Sequence, residues 1–216
     1  TEGGLYTYNS SGFDFYIDEL RFKDINCISQ DTINDYFWLG VNYPNGIVQI
    51  IDRDLNLISS IDYVIFDSIE KIEVGEEFSF AIIVENGEYG IAQYSNDHNL
   101  SSYINVYYDF IDNLNIINDI IVLDDIIYVA TDAGLYWINY ENNFLNDPSG
   151  WNSMYVNSNT SHLINYLDML LVCIEDSIYD TVYDLTHPPI FSFEEFENIL
   201  SIKLYDGFFY ILTEGS

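Results

Sequence analysis

Basic residues are scarce in this sequence. Its 216 residues include 5 Lys and Arg against 36 Asp and Glu, which gives a formal net charge of −31. Nucleic-acid binding needs clustered Lys and Arg that displace counterions from phosphates. The five basic residues form no such cluster; they are Arg21, Lys23, Arg53, Lys71 and Lys203. The charge therefore excludes nucleic acids and anionic membrane surfaces as partners and indicates a strongly hydrated surface.

Cysteine, proline and long apolar runs are also scarce. The two cysteines, Cys27 and Cys173, lie in apolar strand-like patterns, which favours buried free thiols over a disulfide or a nucleophile. No apolar run approaches the roughly 18–20 residues that a membrane-spanning helix needs. The chain begins at Thr1 within a strand-like pattern, so we expect a segment of a larger protein whose targeting information lies elsewhere.

Apolar and aromatic residues are plentiful. Hydrophobic residues make up 49% of the sequence, which includes 20 Tyr and 14 Phe. This content excludes a disordered acidic tail, because disorder requires too little apolar surface to offset chain entropy. A chain of this length buries roughly 70% of its unfolded surface when it folds. We therefore expect a single folded domain over residues 1–216.

A sequence segment of about 43 residues repeats along the chain. In its clearest copy, residues 117–139, two β-forming runs flank Asp124-Asp125 and a third run follows a second turn. Equivalent third runs begin at spacings of 42, 44 and 44 residues, at Gly4, Gly46, Gly90 and Gly134. Four short antiparallel strands per repeat of ~40–45 residues are typical of a propeller blade. The sequence therefore predicts an all-β fold, a β-propeller of four-stranded antiparallel blades.

The repeats amount to five blade-equivalents. Their predicted bounds are near residues 19–62, 63–108, 109–157 and 158–198, with 1–18 and 199–216 sharing the fifth blade. Two arrangements stay open. Either the N-terminal strands complete the last blade and close a five-bladed ring, which removes exposed strand edges, or the five blades are part of a larger propeller.

The sequence of one copy of the repeat is similar to a known type of repeat. The run NDIIVLDDIIYVATDAGLYWIN, residues 118–139, resembles the two-component regulator propeller repeat. The runs at 37–50 and 1–9 follow it more loosely, and the units around Gly90 and Ser177 depart from it. Such repeats occur in periplasmic sensor regions of bacterial hybrid histidine kinases and in surface or secreted proteins of bacteria with type IX secretion. The resemblance implies an extracytoplasmic, non-catalytic recognition module and brings no catalytic residues with it.

The candidate ligand-binding residues share one position of the predicted first strands. We predict that they line a central channel; they are Lys71, Asp119, Asn165 and Ser201, aligned with Cys27. The alternative is a five-bladed propeller glycoside hydrolase, which needs two carboxyl groups about 5–10 Å apart. Glu70 and Asp119 are the available pair, but they occupy neighbouring positions of the repeat. Neighbouring positions along a strand face opposite sides of the sheet, so the two side chains would not point into the same channel. A purely structural scaffold is the third reading.

Two aromatic residues depart from the periodicity of the others. Trp151 and Tyr155 lie in the polar stretch DPSGWNSMY, residues 147–155, and we predict that they contact a sugar or peptide at a rim, with packing in the core as the alternative. Other aromatic residues recur at strand positions and are predicted to pack between blades; these are Trp38, Phe80, Tyr128 and Tyr210.

The sequence predicts no cofactor and no metal ligand. It has no Cys/His spacing for zinc, and all three histidines, His98, His162 and His187, lie in loop-like contexts. Loops rich in Asp and Asn at 52–54, 96–99, 109–113 and 141–143 leave a structural calcium ion open, although turn formation explains the same residues without an ion.

These observations predict a binding module for a protein or glycan partner. We expect a monomeric domain within a larger bacterial extracytoplasmic protein, a sensor or a secretion-associated protein. Recognition would use loops and the central channel, with no bond-making and no membrane insertion of this segment.

Overall fold

The computed structural model describes most of the chain. It covers residues 5–9, 12–16, 20, 24–97, 101–108, 110–111, 116–141, 144–167, 169–175, 177–182, 186–192, 199–205 and 208–213. Contacts between residues divide the chain into two units, Thr1–Tyr108 and Asp109–Ser216. No helix within the described ranges has both the length and the apolar character needed to cross a membrane.

The first unit contains a hairpin and two four-stranded antiparallel sheets. The hairpin pairs β1 (Leu5–Asn9) with β2 (Gly12–Tyr16). Blade 1 consists, in sequence order, of β3 (Asp24–Asp31), β4 (Tyr36–Tyr43), β5 (Gly46–Asp52) and β6 (Leu57–Phe66). Blade 2 consists, again in sequence order, of β7 (Ser68–Val74), β8 (Phe78–Glu85), β9 (Glu88–Ser95) and β10 (Ser102–Tyr107).

The second unit repeats this architecture. Blade 3 consists of β11 (Ile117–Leu123), β12 (Ile126–Thr131), β13 (Gly134–Asn139) and β14 (Asn152–Met154), with a 3-10 turn at Pro148–Gly150 before β14. Blade 4 consists of β15 (Thr160–Tyr166), β16 (Met169–Ile174), β17 (Ser177–Asp180) and β18 (Phe191–Ser192). A last hairpin pairs β19 (Ile199–Tyr205) with β20 (Phe208–Thr213).

The longest buried runs lie in the interior strands of the sheets. In β4 the run Trp38–Val41 is buried without interruption, and β8 and β16 show similar runs. A strand that packs on both faces must be apolar at consecutive positions rather than at alternate ones. The continuous runs of Ile, Val, Leu and Phe in these strands follow from that requirement.

Adjacent blades of one unit pack face to face. Between blades 1 and 2 the indole of Trp38 meets the ring of Tyr94 edge-on, with centroids 6.0 Å apart, beside the buried Ile50 and Ile69. Between blades 3 and 4 the core contains Leu163 and Val172. Burial of such side chains is the main favourable term in folding and stabilises by roughly 1.5–3 kcal/mol each.

The predicted all-β propeller of four-stranded antiparallel blades is confirmed. One predicted boundary is wrong, because β6 continues from Asp62 to Phe66, and Phe66 is buried in the core between blades 1 and 2. The acid at position 62 is typical of a turn, yet the strand passes through it with an irregular ladder. The closed five-bladed ring and the pairing of 1–18 with 199–216 stay predictions.

Tyr210 does not share the environment of its counterparts. Its repeat equivalents Trp38 and Phe80 are fully buried, whereas Tyr210 is 57% exposed on β20. The prediction that Tyr210 packs between blades is therefore wrong for the described structure. The sequence periodicity places Tyr210 at the same strand position as Trp38 and Phe80, but it does not show whether other residues cover that position.

Candidate functional site

The first strand of each of the four blades, and β19 of the last hairpin, carry a β-bulge at the same place. The ladder shifts register by one residue in β3, β7, β11, β15 and β19, and the extra residue is Asn26, Glu70, Asn118, Ser161 or Leu200. A bulge redirects the side chains beside it, and such sites are features of a fold rather than defects. The position after the bulge is the one predicted to line a channel.

The structure places three of the four predicted channel residues at that position. Lys71, Asp119 and Ser201 each follow the bulge of their strand. Asn165 does not: it pairs with Leu170 near the far end of β15, and His162 holds the equivalent place. His162 rather than Asn165 follows the bulge because β15 already begins at Thr160, although its polar first residues resemble a loop in the sequence. Ligand binding by Asn165 stays a prediction.

Polar residues at the bulge connect neighbouring blades. The Asn26 amide nitrogen donates to the Ile69 carbonyl of the next first strand at 2.9 Å, and the Asn118 amide nitrogen donates to the Thr160 carbonyl at 2.7 Å. His162 Nε2 lies 3.2 Å from the Leu200 carbonyl oxygen and donates to it. Each of these hydrogen bonds joins a first strand to the neighbouring first strand and therefore stabilises the packing between them.

Asp119 also forms hydrogen bonds that connect neighbouring blades. Its side chain is only 6% exposed, and its Oδ1 accepts the Ile120 amide at 2.9 Å. Its Oδ2 accepts the Leu163 amide of blade 4 at 2.8 Å. A buried carboxylate that accepts backbone N–H groups on both oxygens is a structural acceptor between blades. This geometry gives no support to Asp119 as the acid or nucleophile of a glycosidase.

The other channel candidates and Glu70 are more accessible. Lys71 and Ser201 are half-buried and Glu70 is exposed. The Glu70 carboxylate accepts from the Ser68 hydroxyl and, at 3.4 Å, from the Asn26 amide. Ligand binding by Lys71 and Ser201 stays a prediction.

Burial keeps the two cysteines in the protonated thiol form. Both are free, and burial raises the pKa of each thiol to about 12. At neutral pH both are therefore protonated, and the thiolate is the reactive form.

Thr160 forms the densest hydrogen-bonded junction between blades 3 and 4. Its hydroxyl accepts the Thr131 amide at 2.9 Å, and the same oxygen lies 3.0 Å from the Thr131 carbonyl and 2.8 Å from the Gly134 carbonyl. Thr160 and Thr131 are both fully buried. A buried amide that loses its acceptor retains the full cost of its desolvation.

We expect Thr160→Val to lower the free energy of unfolding by about 2 kcal/mol, because valine keeps the shape but leaves the Thr131 amide without an acceptor. The measurement is urea unfolding followed by circular dichroism. Thr160→Ser keeps the hydroxyl and is expected to lose about half as much. Equal losses in the two variants would show that the hydroxyl contributes nothing.

A pocket of about 200 Å³ lies at the outer part of blade 3. Its walls are Phe110, Ile111, Tyr136, Pro148, Trp151 and Ser153. Three of its six described wall residues are aromatic, and its accessible lining is somewhat more polar than apolar, a mixed surface of the kind that can orient a small ligand. Trp151, predicted from the sequence to contact a ligand, is one of these wall residues.

Three contacts hold Trp151 in place. Its indole N–H donates to the Leu145 carbonyl at 2.9 Å, and its ring lies 4.7 Å from that of the fully buried Phe110, centroid to centroid. Its backbone amide donates to the Pro148 carbonyl at 3.3 Å and so closes the 3-10 turn. The side chain therefore offers a fixed aromatic surface, and fixed surfaces lose little entropy when a ligand binds.

Asp147 directly precedes Pro148, a wall residue of this pocket, and caps the 3-10 turn. Its Oδ1 accepts the Ser149 hydroxyl at 2.7 Å and the Ser149 amide at 3.0 Å. These hydrogen bonds lower the pKa of the exposed Asp147 carboxyl below its ordinary value. The group is therefore an oriented anion at neutral pH.

Tyr155 is not at the rim. It is 7% exposed, its ring packs against Tyr179 of blade 4, and its hydroxyl donates to the Asp180 carbonyl at 3.2 Å. Its backbone has a φ of 56°, which turns the chain between the two blades. The prediction of a ligand contact by Tyr155 is wrong because this turn directs the ring into the core.

The predicted histidine and calcium positions are only partly within the described residues. His162 lies in β15 rather than in a loop, His187 is exposed, and His98 falls outside the described residues. Asp52 accepts the amide and side-chain N–H groups of Asn56, as turn formation requires. Among the described residues no three His, Cys, Asp or Glu side chains are grouped to hold a metal ion. A structural calcium ion stays a prediction.

The sequence matches no protein-family model and no curated protein. Solved structures do resemble the fold. One is the extracellular domain of a protein described as the hybrid two component system BT3049 of B. thetaiotaomicron, with a TM-score of 0.67 and 14% identity, covering 99% of this chain and 30% of that chain. The corresponding domain of BT4673 gives 0.58 and 15%, covering 97% and 28%.

A third similar structure is the β-propeller domain of Myceliophteria thermophila Cps50 (Swd1), with a TM-score of 0.62 and 9% identity, covering 91% of this chain and 64% of that chain. The chain thus spans less than two thirds of each of these three proteins. At such identities the likeness concerns the fold, and the fold is a β-propeller.

Proposed function

We propose that this chain is a non-catalytic recognition module of a larger bacterial extracytoplasmic protein, of the sensor or secretion-associated kind. Two of the similar structures are extracellular domains of hybrid two-component systems, and the repeat at residues 118–139 resembles the same class. The observation that carries the proposal is the aromatic pocket with its fixed Trp151.

The geometry of the carboxylates favours this proposal over a glycoside hydrolase. Asp119 uses both oxygens to hold backbone amides, and Glu70 lies on the bulge, one position earlier in the repeat. Hydrolysis needs two carboxyl groups that flank the same bond. A recognition role needs only a preformed surface, which the Trp151 pocket provides.

The proposal predicts that a ligand will perturb one tryptophan of three. With 5-fluorotryptophan in the chain, the ¹⁹F spectrum has signals from Trp38, Trp137 and Trp151. Trp38 is fully buried and Trp137 stacks on Tyr128 within blade 3. Only Trp151 lines the pocket, so its signal is the one expected to move.

The test uses a panel of neutral oligosaccharides, short peptides and small organic cations. Trp151→Phe identifies the signal by removing it. A shift of the Trp151 signal with at least one compound, saturating at millimolar concentration or below, supports the proposal. If no compound of any class moves that signal, the pocket is not a recognition site and the structural-scaffold reading is preferred.

A further inference from the structure

We infer that the Trp151 pocket binds an alkylammonium group, either of a free quaternary amine or of a lysine-type side chain. This inference rests on the proposed function, because it names the chemistry of the ligand for the same site. The pocket is formed within the second unit, by blade 3 and the residues around it. Three independent features of its walls lead to a cation.

The first feature is the aromatic surface. Tyr136 and Trp151 line the pocket and are partly exposed, whereas the fully buried Phe110 supports the indole of Trp151 from one side. The face of an aromatic ring carries partial negative charge, so a cation within about 6 Å of the ring centroid is attracted to it. Trp provides the strongest attraction of the natural side chains.

The second feature is the charge around the walls. None of the six wall residues is basic, so an anionic ligand would enter without a counter-charge. Asp147 adjoins the wall residue Pro148 in sequence and is held ionised and oriented by Ser149. A carboxylate therefore lies one residue along the chain from a wall of the aromatic-lined pocket.

The third feature is the charge of the whole chain. A formal net charge of −31 creates a long-range field that concentrates cations near the surface and repels anions. A neutral sugar would gain nothing from this field, and from Asp147 it would gain hydrogen bonds but no charge neutralisation. An alkylammonium group gains charge neutralisation from both, and its methyl or methylene groups pack against the aromatic walls.

The decisive comparison is between choline and 3,3-dimethyl-1-butanol, its neutral isostere with carbon in place of the charged nitrogen. Titrations follow the ¹⁹F signal of Trp151. Choline is expected to bind about tenfold more tightly, since a desolvated cation–π contact contributes about that much. Its affinity should fall as salt is raised, because salt screens the field of exposed carboxylates.

Two variants locate the charge effect. Asp147→Asn keeps a good cap for the 3-10 turn but removes the charge, so it should weaken choline several-fold and leave dimethylbutanol unchanged. Asp125→Asn is the matched control, because it removes one exposed carboxylate at the far hairpin of the same blade. It should leave both affinities unchanged.

The outcomes separate this inference from the proposed function. Equal affinity for choline and dimethylbutanol, or tighter binding of a methyl glycoside, would overturn the cation while leaving a recognition site at Trp151. No response to choline would also overturn it. A trimethyllysine peptide that binds more tightly than choline would support the inference with a partner side chain as the source, and weaker binding would support it with a free amine.

Discussion

Replacing Gly40 by valine is expected to lower the free energy of unfolding by at least about 3 kcal/mol. Gly40 lies in β4, where it pairs with Cys27 of β3 and faces Ile69 of blade 2. A Cβ atom at this position would overlap the Cys27 sulfur and lie 2.7 Å from Ile69 Cγ2. Overpacking of a close-packed core commonly costs 1–3 kcal/mol, and here neighbours on two sides are rigid or buried.

The neighbours of Gly40, rather than its place in the repeat, explain why glycine is required here. Its counterpart in blade 3 is Ala130, which pairs with Asp119 in the same register, and blade 2 has Ile82 there. A side chain is therefore tolerated in the repeat as such. Glycine is needed in blade 1 because Cys27 and Ile69 together fill the space that a methyl group would take.

Urea unfolding of Gly40→Ala and Gly40→Val measures the effect. The alanine variant is the smaller change and keeps the test readable if the valine variant does not fold. Ala130→Gly is the control for the equivalent position, with an expected loss of about 1 kcal/mol. If both Gly40 variants unfold at the wild-type urea concentration, blades 1 and 2 do not pack through β4 and β7.

The sequence predicts the hairpins well where acidic turns separate apolar runs. The two β-forming runs predicted on either side of Asp124-Asp125 are β11 and β12, and these two residues join them. Both follow from local rules: β-branched and aromatic residues favour extended backbone, and Asp tolerates the positive φ of 51° that Asp124 adopts. Local chemistry decides these elements almost alone.

The sequence is misleading where polar side chains act between blades. Thr160 and His162 are polar, so the start of β15 resembles a loop, but their hydrogen bonds are made to other blades. The same limit applies to Trp151 and Tyr155, four residues apart in one polar stretch. One lines a pocket and the other enters the core, and the difference depends on a backbone turn that no periodicity encodes.

A junction at the turn end of blade 1 was also absent from the sequence prediction. The Asp31 carboxylate is 1% exposed and accepts four N–H groups. Three come from its own turn, from the amides of Ile33 and Asn34 and from the Asn34 side chain, at 2.9–3.0 Å. The fourth comes from Asn96 at 3.1 Å, and Asn96 also donates to the Gly75 carbonyl of blade 2 at 2.8 Å.

These donors determine the titration of Asp31. Burial alone raises the pKa of its carboxyl, but the N–H groups of Asn34, Asn96 and Ile33 outweigh burial and hold the pKa below its ordinary value. A carboxyl whose pKa is lower in the folded state than in the unfolded state stabilises the fold above the unfolded pKa, near 4. That stabilisation is lost as the pH falls through the folded pKa.

We expect Asp31→Asn to lower the free energy of unfolding by about 3 kcal/mol at pH 7, because the amide turns a donor toward Asn34 or Asn96 and removes the charge from every hydrogen bond. The deficit should shrink below pH 4, as the unfolded carboxyl takes up a proton, and should be smallest once the pH falls below the lowered pKa of the folded carboxyl. Asp54→Asn, at an exposed carboxylate, is the control and should follow the wild type at every pH. A deficit for Asp31→Asn that is the same at pH 7 and pH 3 would mean that shape, rather than the charge of Asp31, joins blade 1 to blade 2.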